Sequence, residues 1–235
     1  MKIHTEFAQN SDAWFAARAG VITASENESL VTPTFKVSKG KGVQTYLARK
    51  AAEWFIQAPL DTFNNFDVEQ GAILEAEARR TYIFETGEQL EQVGFISSDD
   101  GILGCSPDGF VAGSHGAEIK CPKAETHAGY LLDGVLPDQY GQQVQFSMYV
   151  TGFKKWRFMS YRRKFPPFII TVESDPVAQK AIADALAGFL PLFAQAKAKL
   201  LALNGGVRPP KPVAPVTLAE YLKNNPDPEI ADGRH

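Results

Sequence analysis

Residues 105–122 read CSPDGFVAGSHGAEIKCP, and this stretch decides the fold. A first β-type run begins at Asp108 after a proline, a glycine-rich turn signal follows, and a second run ends at Lys120. Because side chains alternate across a strand, Glu118 and Lys120 lie on the same face. If the two runs pair as a hairpin, Asp108 lies close to both. The stretch therefore predicts a hairpin on which two carboxylates and an ammonium group converge.

Such a convergence suits metal-assisted hydrolysis. Hard oxygen ligands hold Mg²⁺, which keeps several waters and binds phosphate oxygens. The metal lowers the pKa of a bound water and stabilises the leaving oxygen, and a lysine beside it can orient or deprotonate the attacking water. The carbonyl of Ile119, between the two charged residues of the second run, could supply a further oxygen ligand.

The same Glu-x-Lys pattern has an ordinary interpretation, because on a strand it is usually a solvent-facing pair. The neighbouring residues favour a site instead. The apolar side chains around the pattern predict a partly buried strand pair: Ile102, Leu103, Phe110, Val111 and Ile119. Burying two carboxylates and an ammonium group there is costly unless they are paired or bind a metal.

Outward from this stretch, helical and β-type patterns divide the chain. Helical periodicity predicts five long helices, at 43–57, 67–86, 123–133, 138–150 and 175–203. β-type runs predict a meander of three or four strands within 91–121 and two further strands, at 154–161 and 167–173. A short helix capped by Ser11 or Asp12 precedes them all. This order of elements predicts an α/β (α+β) fold with a central mixed β-sheet flanked by helices.

The length of 235 residues fits one large domain. We assign residues 1–204 to that domain and 205–235 to a Pro-rich C-terminal tail, with a short helix predicted at 216–223. Charged residues in the first 30 positions argue against a cleavable signal peptide, and no run approaches the roughly 18 apolar residues of a membrane helix. The sequence therefore predicts a cytoplasmic protein with no membrane partner.

The cysteine content and the charge of the chain bear on three classes of protein: disulfide scaffolds, zinc proteins and nucleic-acid-binding proteins. The two cysteines are too few for a disulfide scaffold or a zinc site, so we expect two buried, reduced thiols. The net charge of −3 does not favour nucleic acid, so local distribution matters. Lys36, Lys39 and Lys41 lie in a loop containing proline and glycine and are candidate contacts to a DNA backbone. A second basic group at 154–164 could contact DNA or protect a strand edge.

Four sequence blocks stand in order along the chain. They are GVITAS at 20–25, CSPDG at 105–109, EIKCP at 118–122 and QVQFSM at 143–148. Together they resemble the phage lambda exonuclease family, also called YqaJ-like viral recombinases or alkaline exonucleases, within the PD-(D/E)-x-K nuclease superfamily. The blocks span about residues 12–150, and the chain length also fits. The resemblance implies a restriction-endonuclease-like PD-(D/E)-x-K core.

The resemblance implies catalytic or metal-binding roles for six residues: Asp108, Glu118, Ile119, Lys120, Glu75 and Gln145. Two Mg²⁺ ions, for which Mn²⁺ could substitute, would be held by Asp108, Glu118 and the Ile119 carbonyl. Lys120 matches the catalytic lysine, Glu75 a helix-borne carboxylate near the metals, and Gln145 a glutamine lining the site. On the residues alone, that glutamate could face water, and that glutamine could be an ordinary amide of an amphipathic helix.

The resemblance also implies a cage for a 5′-phosphate, formed by Arg18, Ser25 and Ser106. A guanidinium grips phosphate through two parallel hydrogen bonds, and hydroxyl groups complete the cage. Ser25 could alternatively cap a helix that contains Glu28. Trp14 could stack near the DNA end, although an aromatic residue at helical spacing more often belongs to a core.

These expectations combine into one function. The chain resembles a Mg²⁺-dependent 5′→3′ exonuclease that degrades one strand of linear double-stranded DNA from a 5′-phosphorylated end, releases mononucleotides and leaves a 3′ single strand for recombination by strand annealing. The resemblance implies a ring-shaped homotrimer around the duplex, which reconciles an acidic total charge with a basic channel. It also implies a single-strand annealing protein as partner.

Two alternatives remain open from the sequence. The chain could be another PD-(D/E)-x-K nuclease, such as a sequence-specific endonuclease, which would cut a closed circular plasmid that an end-dependent exonuclease leaves intact. It could also be a non-catalytic DNA-binding scaffold for recombination with a vestigial site. The intact Asp108, Glu118 and Lys120 argue against the scaffold.

Overall fold

The structure is a computed structural model that describes residues 1–60 and 65–211, without the side chains of 65–73. The helix predicted at 216–223 and the rest of the distal tail lie outside the described residues. The first part of the tail folds back onto the domain, where the Pro209 carbonyl accepts a hydrogen bond from a glutamine side chain over 2.9 Å. The boundary between domain and tail stays a prediction.

The helices follow the helical periodicity of the sequence. The described residues form a 3₁₀ helix at Ala24–Ser29 and six α-helices: α1 Asp12–Arg18, α2 Lys41–Ile56, α3 Asn65–Thr86, α4 Ala124–Asp133, α5 Asp138–Thr151 and α6 Pro176–Leu203. Ser11 caps α1, since its Oγ accepts a hydrogen bond from the Trp14 N–H. Gly87 ends α3 with a φ of +71°, a conformation that glycine adopts readily.

The β-strands form two four-stranded mixed sheets. The strands within the described residues are β1 Lys2–His4, β2 Ile22–Thr23, β3 Phe95–Ser97, β4 Leu103–Cys105, β5 Gly109–Val111, β6 His115–Lys120, β7 Lys155–Ser160 and β8 Phe168–Glu173. One sheet has the order β1-β3-β4-β2 and the other β5-β6-β7-β8. The mixed α/β architecture with flanking helices is therefore confirmed, although it has two sheets where one central sheet was expected.

The single meander predicted within 91–121 is wrong. Its first two strands, β3 and β4, pair with each other in one sheet, while β5 and β6 form a hairpin in the other. The division occurs at Ser106-Pro107, because proline has no N–H to donate to a ladder. Strands β1 and β2, of three and two residues, were not predicted, because such short segments carry too little alternation to recognise.

The second sheet carries the central strand of the predicted site. Strand β6 pairs antiparallel with β5 and parallel with β7, and the parallel connection runs through α4 and α5. In the parallel register Glu118 lies beside Phe158 and Lys120 beside Ser160. The charged end of β6 therefore follows its pairing with β5, lies beside the buried strand β7, and belongs to a strand against which α3 packs.

Two apolar clusters hold these layers together. The larger one joins α2, α5 and α6 to both sheets and includes Phe146 and Trp156, which are fully buried. The smaller one packs α3 under the second sheet through Tyr82 and Met159, among others. Each fully buried side chain of this size contributes roughly 1.5–3 kcal/mol, so α3 is fixed against β6. Both cysteines are free thiols, as expected, and Cys105 is buried in the larger cluster, but Cys121 is only partly buried.

Helix α6 is amphipathic. By length and average composition it is the one described helix that could cross a membrane, although Lys180, Asp184 and Lys197 interrupt its apolar residues. Its buried side chains recur at helical spacing, from Ala178 through Ile182 to Phe193, and face the larger apolar cluster. In this structure α6 therefore packs against α2 and α5 as a core helix.

Candidate active site

Asp108 stands at the entrance to β5 and is fixed by the backbone of β6. Its N–H donates to the Ala117 carbonyl over 3.0 Å, and its Oδ2 accepts from the Ile119 N–H over 2.7 Å. The first of these hydrogen bonds extends the hairpin, and the second orients the carboxylate. The hairpin therefore brings Asp108 beside the strand that carries the other two charged residues of the pattern, as its spacing predicts.

Glu118 is the most buried of these charged groups, with 2% of the residue exposed. Its Oε1 lies 2.5 Å from Lys120 Nζ and accepts a 2.8 Å hydrogen bond from Gln143 Nε2 on α5. Burial and, after it, the charge of Asp108 raise the pKa of Glu118, while Lys120 and the Gln143 side chain partly oppose the shift, so that the pKa is about 7. Ionising Glu118 therefore costs free energy in this structure, and an additional positive charge nearby would lower that cost.

Lys120 covers the more open side of the cluster. Burial alone would lower the pKa of Lys120, but Glu118 and Asp108 together raise it above its ordinary value. Its Nζ also lies 5.5 Å from the ring centroid of Tyr140, at the start of α5. Lys120 is therefore a firmly protonated cation in this arrangement, which suits orienting a water or a phosphate oxygen better than removing a proton.

Helix α3 brings a third carboxylate to the same place. Burial raises the pKa of Glu75, and the charge of Asp108 adds to this effect. Arg79, one turn further along α3, donates to Glu75 Oε1 over 2.8 Å and to the Asp108 carbonyl over 3.0 Å. Sequence reasoning missed Arg79, whose two hydrogen bonds connect the helix to the hairpin. The (i, i+4) spacing from Glu75 was the available signal.

The donor set fits a hard divalent cation. Three carboxylates, from Asp108, Glu118 and Glu75, face two cationic side chains, Lys120 and Arg79, which leaves a surplus of one negative charge in a partly desolvated place. Oxygen ligands of this kind are those that Mg²⁺ and Mn²⁺ prefer. Within the described residues, no three acidic, histidine or cysteine side chains are grouped closely enough to hold one ion.

Gln145 forms its hydrogen bonds beside the start of α6, and its predicted place in the site stays a prediction. Its Nε2 donates to the Glu173 carbonyl over 2.8 Å, and its Oε1 accepts from the Asp175 N–H over 3.0 Å. Gln145 thus holds the start of α6 against α5. Gln143, two residues earlier, reaches Glu118 instead. Residues two apart on a helix point about 200° apart, so the two glutamines lie on opposite sides of α5.

The three residues of the predicted phosphate cage meet on one side of the first sheet. Arg18 Nη1 donates to Ser106 Oγ and Nη2 donates to Ser25 Oγ, each over 3.0 Å. Thr23, which was not predicted, adds a third hydroxyl at 3.5 Å from Nη2. Both ends of the guanidinium fork are therefore lined by hydroxyl groups, which can donate to or accept from an incoming anion.

Arg18 is a cation that forms no ion pair with any described side chain. Burial lowers the pKa of Arg18, and the charge of Glu26 partly opposes this shift. Among the described side chains, those of residues 1–60 and 74–211, no carboxylate lies within ion-pairing distance of its guanidinium. A buried cation is costly unless it is paired, so this position is suited to an anionic ligand.

Trp14 and Ser25, at the cage, are two residues for which the sequence left alternative roles open. Trp14 is partly buried and donates from Nε1 to the Gly94 carbonyl over 2.8 Å and to Ser106 Oγ over 2.9 Å. Arg18 lies 4.2 Å from its ring centroid. Trp14 thus supports the cage, while stacking on DNA stays a prediction. Ser25 does not cap the 3₁₀ helix, whose N-cap is Thr23.

The predicted basic loop is exposed. Lys36, Lys39 and Lys41 all face solvent, and none of the three forms an ion pair with any described residue. In the second basic group, Arg157 pairs with Glu88 and Arg163 pairs with Glu77. The loop is therefore the freer of the two for a DNA backbone, and its contact with DNA stays a prediction.

A cavity of about 410 Å³ opens next to the carboxylates. Glu75, Arg79 and Asp108 line one side, and residues 5–10 line the other. Gln9 closes it by donating to the Pro107 carbonyl over 2.8 Å. The cavity gives a small ligand access to the acidic cluster from the side of the N-terminal segment.

The chain is similar to a known protein family and to solved structures. The profile of the YqaJ-like viral recombinase domain matches residues 13–154. An alkaline exonuclease, LHK-Exo from Laribacter hongkongensis, has a similar structure, with a TM-score of 0.70 and 29% identity over 83% of this chain and 98% of that one. Its structure in complex with dAMP gives a TM-score of 0.71 and 30% identity with the same coverage.

A phage-related exonuclease from Haemophilus somnus 129PT shares the fold at 11% identity, with a TM-score of 0.57 over 77% of this chain and 96% of that one. No curated protein sequence matches the chain. The expected mixed α/β fold and the expected resemblance are both confirmed by these comparisons.

Proposed function

The chain belongs to the YqaJ-like viral recombinase domain family and is a DNA exonuclease, and on that basis we propose that it degrades one strand of linear double-stranded DNA in the 5′→3′ direction from a 5′-phosphorylated end. The proposed products are mononucleotides and a 3′ single strand that serves recombination by strand annealing. The relative that was solved with dAMP, a mononucleotide, supports the proposed product.

One observation carries the proposal. Ser106, at the cage, and Asp108, at the acidic cluster, are two residues apart in the same loop, so their Cα atoms are at most ~7 Å apart. That separation is on the scale of a single nucleotide. A strand held by its terminal phosphate at Arg18 would therefore present its first phosphodiester close to the carboxylates.

We propose that divalent cations, two Mg²⁺ ions with Mn²⁺ as a substitute, are held by Asp108, Glu118 and the Ile119 carbonyl, with Glu75 nearby. When bound, they would supply the activation of water and the neutralisation of charge on the phosphate. Asp108 is already oriented for this role by the Ile119 N–H. Arg79 holds Glu75 at the edge of the cluster and stabilises its negative charge.

Lys120 and Gln143 complete the proposed site. The ammonium group of Lys120 can orient the attacking water and stabilise the negative charge that develops on the phosphate. Gln143 donates to the same oxygen of Glu118 and so fixes the direction of that carboxylate. The ring of Tyr140 lies 5.5 Å from Lys120 Nζ, where its face can interact favourably with the ammonium group.

Binding of Mg²⁺ should strengthen as the pH rises. The pKa of Glu118 is raised to about 7 from an ordinary value of 4.5. Protonation of Glu118 therefore stabilises the metal-free fold at low pH, and this stabilisation is lost as the pH rises through 7. A cation favours the ionised form and must displace the proton below pH 7. We expect roughly tenfold weaker Mg²⁺ binding at pH 6 than at pH 8, measured by the Mg²⁺-dependent shift in Tm. Equal shifts at both pH values would contradict this assignment.

We propose a ring-shaped homotrimer around the duplex. A trimer with the exposed lysines at 36, 39 and 41 facing a central channel would give a locally positive track despite a net charge of −3. We expect light scattering at micromolar concentration to give about three times the mass of the 25.7 kDa chain. A strict monomer would contradict the ring.

The 3′ single strand suits a single-strand annealing protein as the next partner, and a DNA substrate implies a cytoplasmic location. Digestion of one plasmid in two forms tests the proposed end dependence. We expect the linear form to be degraded to mononucleotides in Mg²⁺ and the closed circular form to stay intact. Cutting of the closed circle would show an endonuclease and overturn the proposal.

A further inference from the structure

A buried ionic cluster lies directly behind the phosphate cage. Lys50 and Glu53, one turn apart on α2, are each only 3% exposed, although lysine and glutamate are rarely buried this deeply. Lys50 Nζ lies 2.7 Å from Glu26 Oε2 and 2.9 Å from Glu53 Oε2. Burying ions has a large desolvation cost, so a contribution to stability does not by itself account for the presence of this cluster.

Glu26 connects the cluster to the cage through a hydroxyl group. Thr23 Oγ1 donates to Glu26 Oε2 over 2.8 Å, and the same Oγ1 accepts from Arg18 Nη2 at 3.5 Å. Since the hydroxyl proton is directed to Glu26, only the lone pairs of Thr23 face the guanidinium. Glu26 therefore lies one hydroxyl group away from the cation of the cage.

Glu53 connects the cluster to the loop that follows α1. Its Oε2 accepts from the Gly20 N–H over 3.1 Å. Gly20 has a φ of +75°, and a Cβ at this position would lie 2.6 Å from the Cβ of Trp54, so only glycine lets the loop approach α2 so closely. This contact fixes the end of the helix that carries Arg18.

Among the described side chains, the charges of this cluster balance without Arg18. Two carboxylates, Glu26 and Glu53, face two cations, Lys50 and Arg49, whose Nε lies 3.2 Å from Glu53 Oε1 and whose Nη2 lies 3.7 Å from Glu26 Oε1. Each of the two carboxylates is therefore paired with cations of the cluster itself. The Arg18 guanidinium consequently remains available to pair with an anionic ligand.

We propose that Lys50 is a positioning residue for recognition of the DNA end: by holding Glu26, it prevents that carboxylate from pairing with Arg18 and keeps the guanidinium available to a terminal phosphate. This inference rests on the proposed function, since it assigns the cage to a 5′-phosphate. Lys50 itself does not contact the DNA. Its removal releases an anion that competes with the phosphate for Arg18.

The test compares kcat/KM for duplexes with a 5′-phosphate and with a 5′-hydroxyl. We expect Lys50→Met to reduce the preference for the phosphate roughly tenfold, because Glu26 then occupies the guanidinium. Lys50→Arg should keep the preference. The double variant Lys50→Met/Glu26→Gln should regain it, since no competing carboxylate remains. A purely structural role predicts that the double variant is at least as impaired as Lys50→Met.

Two further variants make the test decisive. Glu26→Gln alone, which replaces a carboxylate by an amide of the same shape, should keep the phosphate preference, and its loss in a folded protein would overturn the inference even if Lys50→Met does not fold. Lys199→Met, at an exposed position of α6, is the matched control. If Lys50→Met keeps the full preference for the 5′-phosphate, the proposed role of Lys50 is wrong and the proposed function is unaffected. If the wild-type enzyme shows no preference for the 5′-phosphate, both the proposed role of Lys50 and the proposed recognition of a 5′-phosphorylated end are wrong.

Discussion

Asp108→Asn is expected to lower the rate of DNA hydrolysis roughly 1,000-fold while making the metal-free protein more stable. The loss follows because the variant removes one negative charge from the proposed cation site, and the loss of a single charge-stabilising group costs rates of this order. The gain follows because burial raises the pKa of Asp108, so its ionised form is unfavourable in the metal-free fold. The asparagine oxygen can still accept the Ile119 N–H.

Two measurements check this prediction: the rate of release of acid-soluble nucleotides and the Tm in EDTA. Asp133→Asn, at an exposed position near the end of α4, is the matched control and should change neither. Retention of a tenth or more of the wild-type rate by Asp108→Asn would contradict the assignment of the acidic cluster. Loss of activity with a lower Tm would instead indicate that Asp108 is needed for the fold.

Arg18→Gln is expected to slow degradation of 5′-phosphorylated duplex roughly 10- to 100-fold and to change degradation of 5′-hydroxyl duplex little. Hydrogen bonds to a charged group contribute about 1.5–3 kcal/mol, which corresponds to this range. The fork of Arg18 lies between the hydroxyls of Ser25 and Ser106, so it can hold a phosphate through two parallel hydrogen bonds. Arg18→Lys should recover little, because an ammonium group lacks that geometry.

The readout is the ratio of rates on the two ends, which a general loss of stability would not change. Arg208→Gln is the matched control, since Arg208 is an exposed arginine that packs over the ring of Trp54, remote in role from the cage. An equal loss on both kinds of end would mean that Arg18 supports the fold or the DNA path and does not recognise the terminal phosphate.

The hairpin of the site could be predicted from sequence because its determinants are local. Alternation along β6 places Glu118 and Lys120 on one face, and a short turn leaves few ways to pair β6 with β5. The distribution of strands between two sheets could not be predicted, because it depends on long-range pairing such as that of β2 with β4. Two-residue strands give no periodic signal.

The rest of the site depends on tertiary packing. Gln143 and Gln145 flank the same valine, and only the packing of α5 against β6 and α6 decides which glutamine meets Glu118. Lys50 and Glu53 stand at a spacing that on most helices indicates a solvent-exposed pair, so their burial behind the cage was invisible in the sequence. The resemblance supplied Arg18, Ser25 and Ser106 as a group, where spacing alone could not connect them.

The most direct test of the central claim is digestion of a linear duplex that carries a 5′-phosphate on one end only, with labels that distinguish the strands, in Mg²⁺ and in EDTA. We predict that mononucleotides are released from the phosphorylated 5′ end, that the complementary strand remains as a 3′ single strand, and that EDTA abolishes both. Equal attack on the two ends, release from a 3′ end, or undiminished digestion in EDTA would contradict the account.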